Sequence, residues 1–349
     1  MNRRDFLHPR NVAFQTGQIL GAIQHVAQVA EEPACPNWVS LLRGTYRAMA
    51  TRFELLLPFG TPNSQTIFQD AFEHIDQLER QLTVYSDDSE MSRINRLAGS
   101  AAVPVEPNLY QLLKLAKWIS DETGGAFDIT AGRLIKAWGF FRGPPRVPPQ
   151  DEIDAARLTV GMDHVDLDDH SRTVRFRRDG MELNLGSIGK GYALDRVANR
   201  LREIHGSTAA LLHGGHSSVC AIGAPPGQMD GWRVSIRHPS RPGESLGVLC
   251  LRDQALGTSA ATFRHLEHAG RRLGHILDPR TAWPAEGIAS ASAVAPTGAL
   301  ADALATAFFI LGIDAARRYC ELHPDVAAVI LPEGDTATPV AIGVCLEEP

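Results

Sequence analysis

Phe68, Phe72, Ile75, Leu78 and Leu82 recur at steps of three and four residues, the spacing of one helix face. Just before them, residues 53–57 read as a strand ended by Pro58 and Gly60. Ser89 stands where it can cap a short helix. A second long helix is expected over residues 109–123, broken by Gly124 and Gly125, and the prolines within 144–149 mark a loop. Short strands are expected near 165–167 and 173–176. Residues 183–195 then read as strand, glycine-rich turn and helix, with Val197, Leu201 and Ile204 continuing the apolar face. Strands follow over 209–212, 219–222, 232–236 and 246–251, with His213-Gly214-Gly215-His216 as a turn. After an Ala/Ser-rich connector, Ala, Leu and Phe fill residues 299–311 as a mostly buried helix closed by Gly312, and 326–331 with 339–344 form a closing hairpin. Long β runs mixed with separated helices indicate an α+β architecture.

Composition narrows the class. The chain has 349 residues, 44% hydrophobic and 21% charged, as in an ordinary soluble globular protein, and no apolar run reaches membrane-spanning length. A net charge of −6 with basic residues spread along the sequence speaks against a nucleic-acid partner. Cys35, Cys220, Cys250, Cys320 and Cys345 include no Cys-x-x-Cys pair, so they read as small buried apolar residues rather than a zinc site or a disulfide framework. The start, with Arg3-Arg4 before Phe6-Leu7, looks like a twin-arginine export signal. Gln15, Gln18, Gln24, His25 and Gln28 interrupt the apolar stretch that should follow, so an amphipathic helix fits equally. Residues 1–40 are therefore expected to be a signal-like or amphipathic segment and 41–349 a single domain. Both a cell-envelope and a cytoplasmic location stay open.

Candidate chemistry lies in the late helix and the glycine-rich turn. Asp302 and Thr306 are four apart and share a helix face, offering a carboxylate and a hydroxyl oxygen to a hard cation such as magnesium. Equally, Asp302 could be solvated and Thr306 bonded back to its own turn. Gly186, Gly189 and Gly191 beside Lys190 would let backbone amides approach a phosphate or metal, although their spacing is neither a Walker loop nor a dinucleotide fingerprint. His213 and His216 are either metal ligands or plain turn residues.

Taken in order, Met49-Ala50-Thr51, Tyr85 with Ser89 and Asn95, Phe127-Asp128-Ile129-Thr130, Trp138-Gly139-Phe140, Gly186 to Asp195, Gly214-Gly215, Thr258-Ser259, His275 to Thr281, and Asp302 with Thr306 resemble the FAD:protein FMN transferase, or ApbE, family. The resemblance implies an α+β, T-fold-like architecture of mixed and antiparallel sheets, with flanking helices enclosing a flavin pocket. It implies a Mg2+-dependent enzyme that takes FAD as substrate, releases AMP and joins FMN to a threonine or serine of an acceptor protein. Some members instead hydrolyse FAD, and a flavin-binding protein without turnover is the alternative. The family's metal ligands fall on Ser187, Asp302 and Thr306, its flavin contacts on Met49, Tyr85, Ala126, Phe127, Asp128, Asn184, Lys190 and Ile276, and its base on His275. These types suit phosphoryl transfer: cations offset charge on the pyrophosphate, and a histidine, with an ordinary pKa of about 6.5, can take a hydroxyl proton. The chain departs from the family pattern at His216 and Asn184, where aspartate is usual, and at Ala260 and Ala282, where glycine is usual.

Overall fold

A computed structural model describes residues 39–348, apart from 242, 261–264 and 269. The expected N-terminal segment, save its last two residues, and Cys35 lie outside the described residues. In chain order, β1 (Leu41–Ala48) and β2 (Thr51–Pro58) are followed by α1 (Ser64–Leu82), α2 (Glu90–Leu97), β3 (Val103–Pro104) and α3 (Pro107–Glu122). Next come α4 (Gly132–Ala137), α5 (Gln150–Arg157), β4 (Val165–Asp168), β5 (Thr173–Phe176) and α6 (Gly189–Glu203). The strands β6 (Ala210–Gly214), β7 (Ser218–Ile222), β8 (Trp232–Arg237), β9 (Ser245–Leu251) and β10 (Ala255–Ala260) follow. Then come β11 (His265–His268), β12 (Arg271–Gly274), β13 (Leu277–Asp278), β14 (Trp283–Pro284) and β15 (Ile288–Ala295). The chain closes with α7 (Gly298–Leu311), α8 (Ile313–Leu322), β16 (Ala327–Pro332) and β17 (Val340–Ile342).

An eight-stranded sheet in the order β1-β2-β6-β7-β10-β15-β16-β17, antiparallel at every pairing, organises the molecule. Strand alternation gives it two faces. On one, Phe53, Leu55, Leu57, Ala291 and Ala293 join the large core shared with α1, α6 and α7. On the other, Leu211, Val219, Leu256 and Val294 meet the β8–β9 hairpin through Trp232, Val234 and Leu249. The resulting α+β layering is the expected class, and no helix among the described residues is long and apolar enough to cross a membrane.

The Ala/Ser-rich connector is the main correction. Residues 288–295 are β15, paired with β10 and β16 near the middle of the sheet. Alanine and serine carry little strand preference, so local pattern reads the stretch as a link. Their smallness serves the packing instead, since β15 lies against α7, and Ala291, Ala293 and Ala295, like Ala299, Ala301, Ala303 and Ala305 of α7, are no more than 2% exposed. At Gly257 of β10 a methyl group would sit 2.4 Å from the Ala301 carbonyl carbon and 2.5 Å from the Asp302 nitrogen. The helix that carries Asp302 therefore lies almost backbone to backbone on the sheet.

Smaller corrections follow from tertiary contacts. His213 and Gly214 belong to β6, which leaves 215–217 as the turn. Ile204 is 58% exposed at the C-terminal cap of α6 rather than part of its buried face. Cys220 and Cys320 are buried as expected, but Cys250 is only half-buried and Cys345 exposed, all four thiols being free.

Candidate active site

Asp302, 6% exposed, is the one aspartate on α7 and faces the junction of α6, α7 and β7. Its Oδ2 accepts from the Gly191 amide at 2.8 Å, and the Ser218 hydroxyl donates to Oδ1 at 2.7 Å and reaches Oδ2 at 3.0 Å. Burial drives its carboxyl above the ordinary aspartate range, while Lys190, Ser218 and Gly191 pull the other way. Among the described residues one cation, Lys190, acts on a carboxylate so placed, and a further cation would stabilise it. The approach of Gly191 depends on missing side chains, because a methyl group there would fall 1.9 Å from the Gly298 carbonyl oxygen.

One turn along α7, the Thr306 hydroxyl meets that of Ser259 at 3.0 Å and donates to the Asp302 carbonyl at 3.3 Å. Both the back-bonded threonine and the shared helix face expected from the spacing are therefore present. Ser187 is half-buried and directly precedes Ile188, the cap residue of α6. A carboxylate, a hydroxyl and a carbonyl are hard oxygen donors, and this set suits magnesium, which takes few protein ligands. Among the described residues no three His, Cys, Asp or Glu side chains gather into a metal cluster, and His213 and His216 do not form one. His213 instead pairs across the sheet with Glu54, and burial lowers its pKa.

The glycine-rich turn is held in place by side chains from earlier in the chain. Asn95 on α2 donates to the Leu183 carbonyl at 2.9 Å and accepts from the Leu183 amide at 2.8 Å, pairing with it as a strand would. Asn184 folds its side-chain oxygen onto the Gly186 amide at 2.8 Å, and its own amide bonds the Ile129 carbonyl at 2.7 Å. That bond lays the segment containing the buried Ala126 and Phe127 beside the turn. Asp128 accepts from the Thr130 amide and hydroxyl at 2.8 and 2.6 Å and from the Met162 amide at 3.0 Å. Burial raises its pKa against those donors. In this state the carboxylate fastens a loop.

At the aromatic end, Tyr85 is 55% exposed and stacks on Phe141 with centroids 4.6 Å apart and planes 3° from parallel. Arg142 lies over both rings and donates to the Tyr85 carbonyl at 3.0 Å. The neighbouring Phe140 meets the half-buried His275 ring edge-on at 6.3 Å. Ile276 is anchored through its carbonyl, which accepts from Ala285 at 2.9 Å. Met49 sits in the β1–β2 turn, where φ values of 48° and 57° at Met49 and Ala50 give the twist a two-residue hairpin needs, and its amide donates to Glu79 at 2.8 Å. Nothing local in the sequence points to Ser218 or Phe141; both are brought in by the fold.

A family model described as the ApbE family matches residues 49–330, spanning every residue placed above. The chain belongs to the ApbE family. A protein named FAD:protein FMN transferase from Treponema pallidum is 33% identical over 277 residues, covering 75% of this chain and 76% of its own length. Another of that name from Salmonella typhimurium is 31% identical over 278 residues, covering 78% and 77%. Among solved structures, an ApbE protein from Thermotoga maritima superposes with a TM-score of 0.78 at 28% identity, covering 87% of this chain and 97% of that one. The apo form of the Pseudomonas stutzeri flavinyl transferase ApbE gives 0.76 at 25% identity, covering 87% and 95%.

One departure from the ApbE pattern has a direct structural reading. Ala282, where the family usually has glycine, holds a φ of 64° while fully buried, and its carbonyl accepts from Trp138 Nε1 at 3.0 Å. Alanine in that region carries a strain of roughly 1–2 kcal/mol, against which its buried methyl contributes about 0.8 kcal/mol.

Proposed function

We propose that this protein transfers FMN from FAD to a threonine or serine hydroxyl of an acceptor protein and releases AMP. The observation that carries the reading is the buried Asp302 carboxylate, bound by Gly191 and Ser218 beside Lys190, in a chain that follows the ApbE pattern. Asp302, Thr306 and the Ser187 carbonyl would hold Mg2+. When bound, the ion would offset charge on the pyrophosphate.

The residues divide the work. Lys190 neutralises phosphoryl oxygens, and the turn fixed by Asn95 and Asn184 positions the phosphates. The Tyr85 and Met49 side chains and the Phe127 segment bound the flavin ring. His275 takes the proton of the acceptor hydroxyl as its oxygen bonds the FMN phosphorus. The bond from that phosphorus to the bridging oxygen breaks, and AMP leaves with that oxygen.

The test is incubation with FAD and MgCl2, following AMP by chromatography and flavin fluorescence on a co-expressed acceptor. AMP formed only with magnesium, together with protein-bound FMN, is the expected result. Equal AMP and free FMN without protein-bound flavin would make the protein an FAD hydrolase, and FAD binding without AMP would make it a flavin carrier. The His216 and Asn184 departures are what keep the carrier reading in the comparison, since each replaces a family carboxylate.

A further inference from the structure

Arginines that are spread along the sequence meet at the β1–β2 hairpin and the end of β8. On the outward face of the β1–β2 hairpin, Arg47 stands directly across from Arg52, with Arg43 further along β1 on the same face. Arg237 at the end of β8 reaches the next turn, its Nη1 lying 3.4 Å from His216 Nδ1. On the same face Glu54 binds two of these four arginines, Arg43 at 2.6 Å and Arg52 at 2.9 Å. Among the described residues Arg47 and Arg237 make no ion pair with a carboxylate.

Such an arrangement costs the fold. Like charges directly opposite on antiparallel strands destabilise the pair. The chain as a whole is acidic, with a net charge of −6, so this face opposes the overall charge. It also adjoins the candidate site. The Gly215 amide donates to the Arg52 carbonyl at 2.9 Å, and the turn so attached leads straight to Ser218 on Asp302.

We infer that this arginine face docks an acidic surface of the acceptor protein and brings its hydroxyl to the flavin site. The inference rests on the transferase reading above. Charge complementarity selects the partner, and the shared turn explains why docking here would serve the reaction.

The test uses the whole protein and two short fluorescein-labelled peptides, one of Asp, Glu and Ser around a single Thr, the other with Asn and Gln in place of the acids. By anisotropy the acidic peptide should bind about tenfold tighter or more, with the gap shrinking as salt is added. The variant Arg47→Glu/Arg237→Glu, which places an opposite charge across from Arg52, should lose that preference while keeping its melting temperature, its FAD affinity and its AMP release. Equal binding of the two peptides, or a preference that survives in the variant, overturns the inference. So does a variant that loses FAD affinity in step, because the face would then belong to the FAD site. Binding to phosphatidylglycerol vesicles without peptide preference would overturn it in favour of a membrane. Absence of AMP release in wild type and variant alike would sink the transferase reading instead, and the peptide titration reads out independently.

Discussion

The amide of Gly191 donates to Oδ2 of Asp302 at 2.8 Å, so the first turn of α6 and the middle of α7 are fastened by the carboxylate that heads the candidate metal site. On the proposed function, structure and chemistry depend on the same oxygen atoms. Substitutions here must be chosen to separate them.

Asp302→Asn keeps an oxygen for the Gly191 amide and an amide group beside Ser218, so the variant should fold. Its magnesium-dependent AMP release should fall about a hundredfold or more, as when a charged contributor to transition-state stabilisation is removed. Asp302→Ala leaves the buried Gly191 amide and Ser218 hydroxyl without their acceptor, at roughly 1–3 kcal/mol for each group. Urea unfolding of both variants beside an AMP assay separates the two effects. Undiminished AMP release by folded Asp302→Asn would remove Asp302 from the site.

Much of this was legible in the sequence, for reasons that particular elements make plain. The three-and-four spacing from Phe68 to Leu82 sits wholly inside α1, and the helix expected after the connector is α7, with Gly312 at its cap. Ser89 caps α2 by accepting from the Ser92 amide, as its position suggested. By contrast, β15 was hidden because Ala and Ser are chosen there for the approach of α7, a demand made by a distant part of the chain. Ser218 and Phe141 were hidden for a related reason: each gains its role from a partner far away in sequence, Asp302 in one case and Tyr85 in the other.

The Asn95 clamp makes a prediction that joins stability to binding. Asn95→Ala strands the amide and carbonyl of Leu183, a residue 1% exposed, and should cost about 1–3 kcal/mol. Because Leu183 leads into the glycine-rich turn, FAD affinity should weaken as well. Asn95→Asp retains the bond from the Leu183 amide, loses the one to its carbonyl, and should fall between. Denaturant midpoints and FAD fluorescence titrations supply the measurements. Lost stability with unchanged FAD affinity would confine Asn95 to the scaffold.

Asp195 on α6 caps α7, accepting from the Gly298 amide at 2.6 Å and the Ala299 amide at 2.8 Å. Burial raises its pKa to about 6 despite those donors, and Asp302 raises it further while Arg202 lowers it. The unfolded chain gives up this proton near the ordinary value of about 3.9, whereas the folded chain keeps it for about two further units. The group's contribution is therefore fully present in acid and is lost as pH climbs from about 4 to about 6, on the order of 3 kcal/mol. Asp195→Asn cannot show that loss. Urea unfolding at both ends of the window should find the variant gaining on wild type as pH rises, and parallel pH profiles would refute the assignment.

The prediction for His275 turns on separating transfer from binding. Its ring lies edge-on to Phe140, and it follows directly on β12. FAD should be held mainly by the glycine-rich turn, Lys190 and the apolar contacts, so His275→Ala should still bind it. Transfer to the acceptor should drop by roughly two to four orders of magnitude, the usual share of a positioned base. Added imidazole should restore part of the lost rate, because a small base can enter the space the ring leaves. A purely structural His275 behaves otherwise: losing its packing on Phe140 would weaken stability and FAD binding together and spare the chemical step. FAD fluorescence titration and FMN incorporation at saturating FAD give both quantities on the same variant. An unchanged transfer rate would take His275 out of the mechanism, and a large loss of affinity would place it among the residues that hold the flavin.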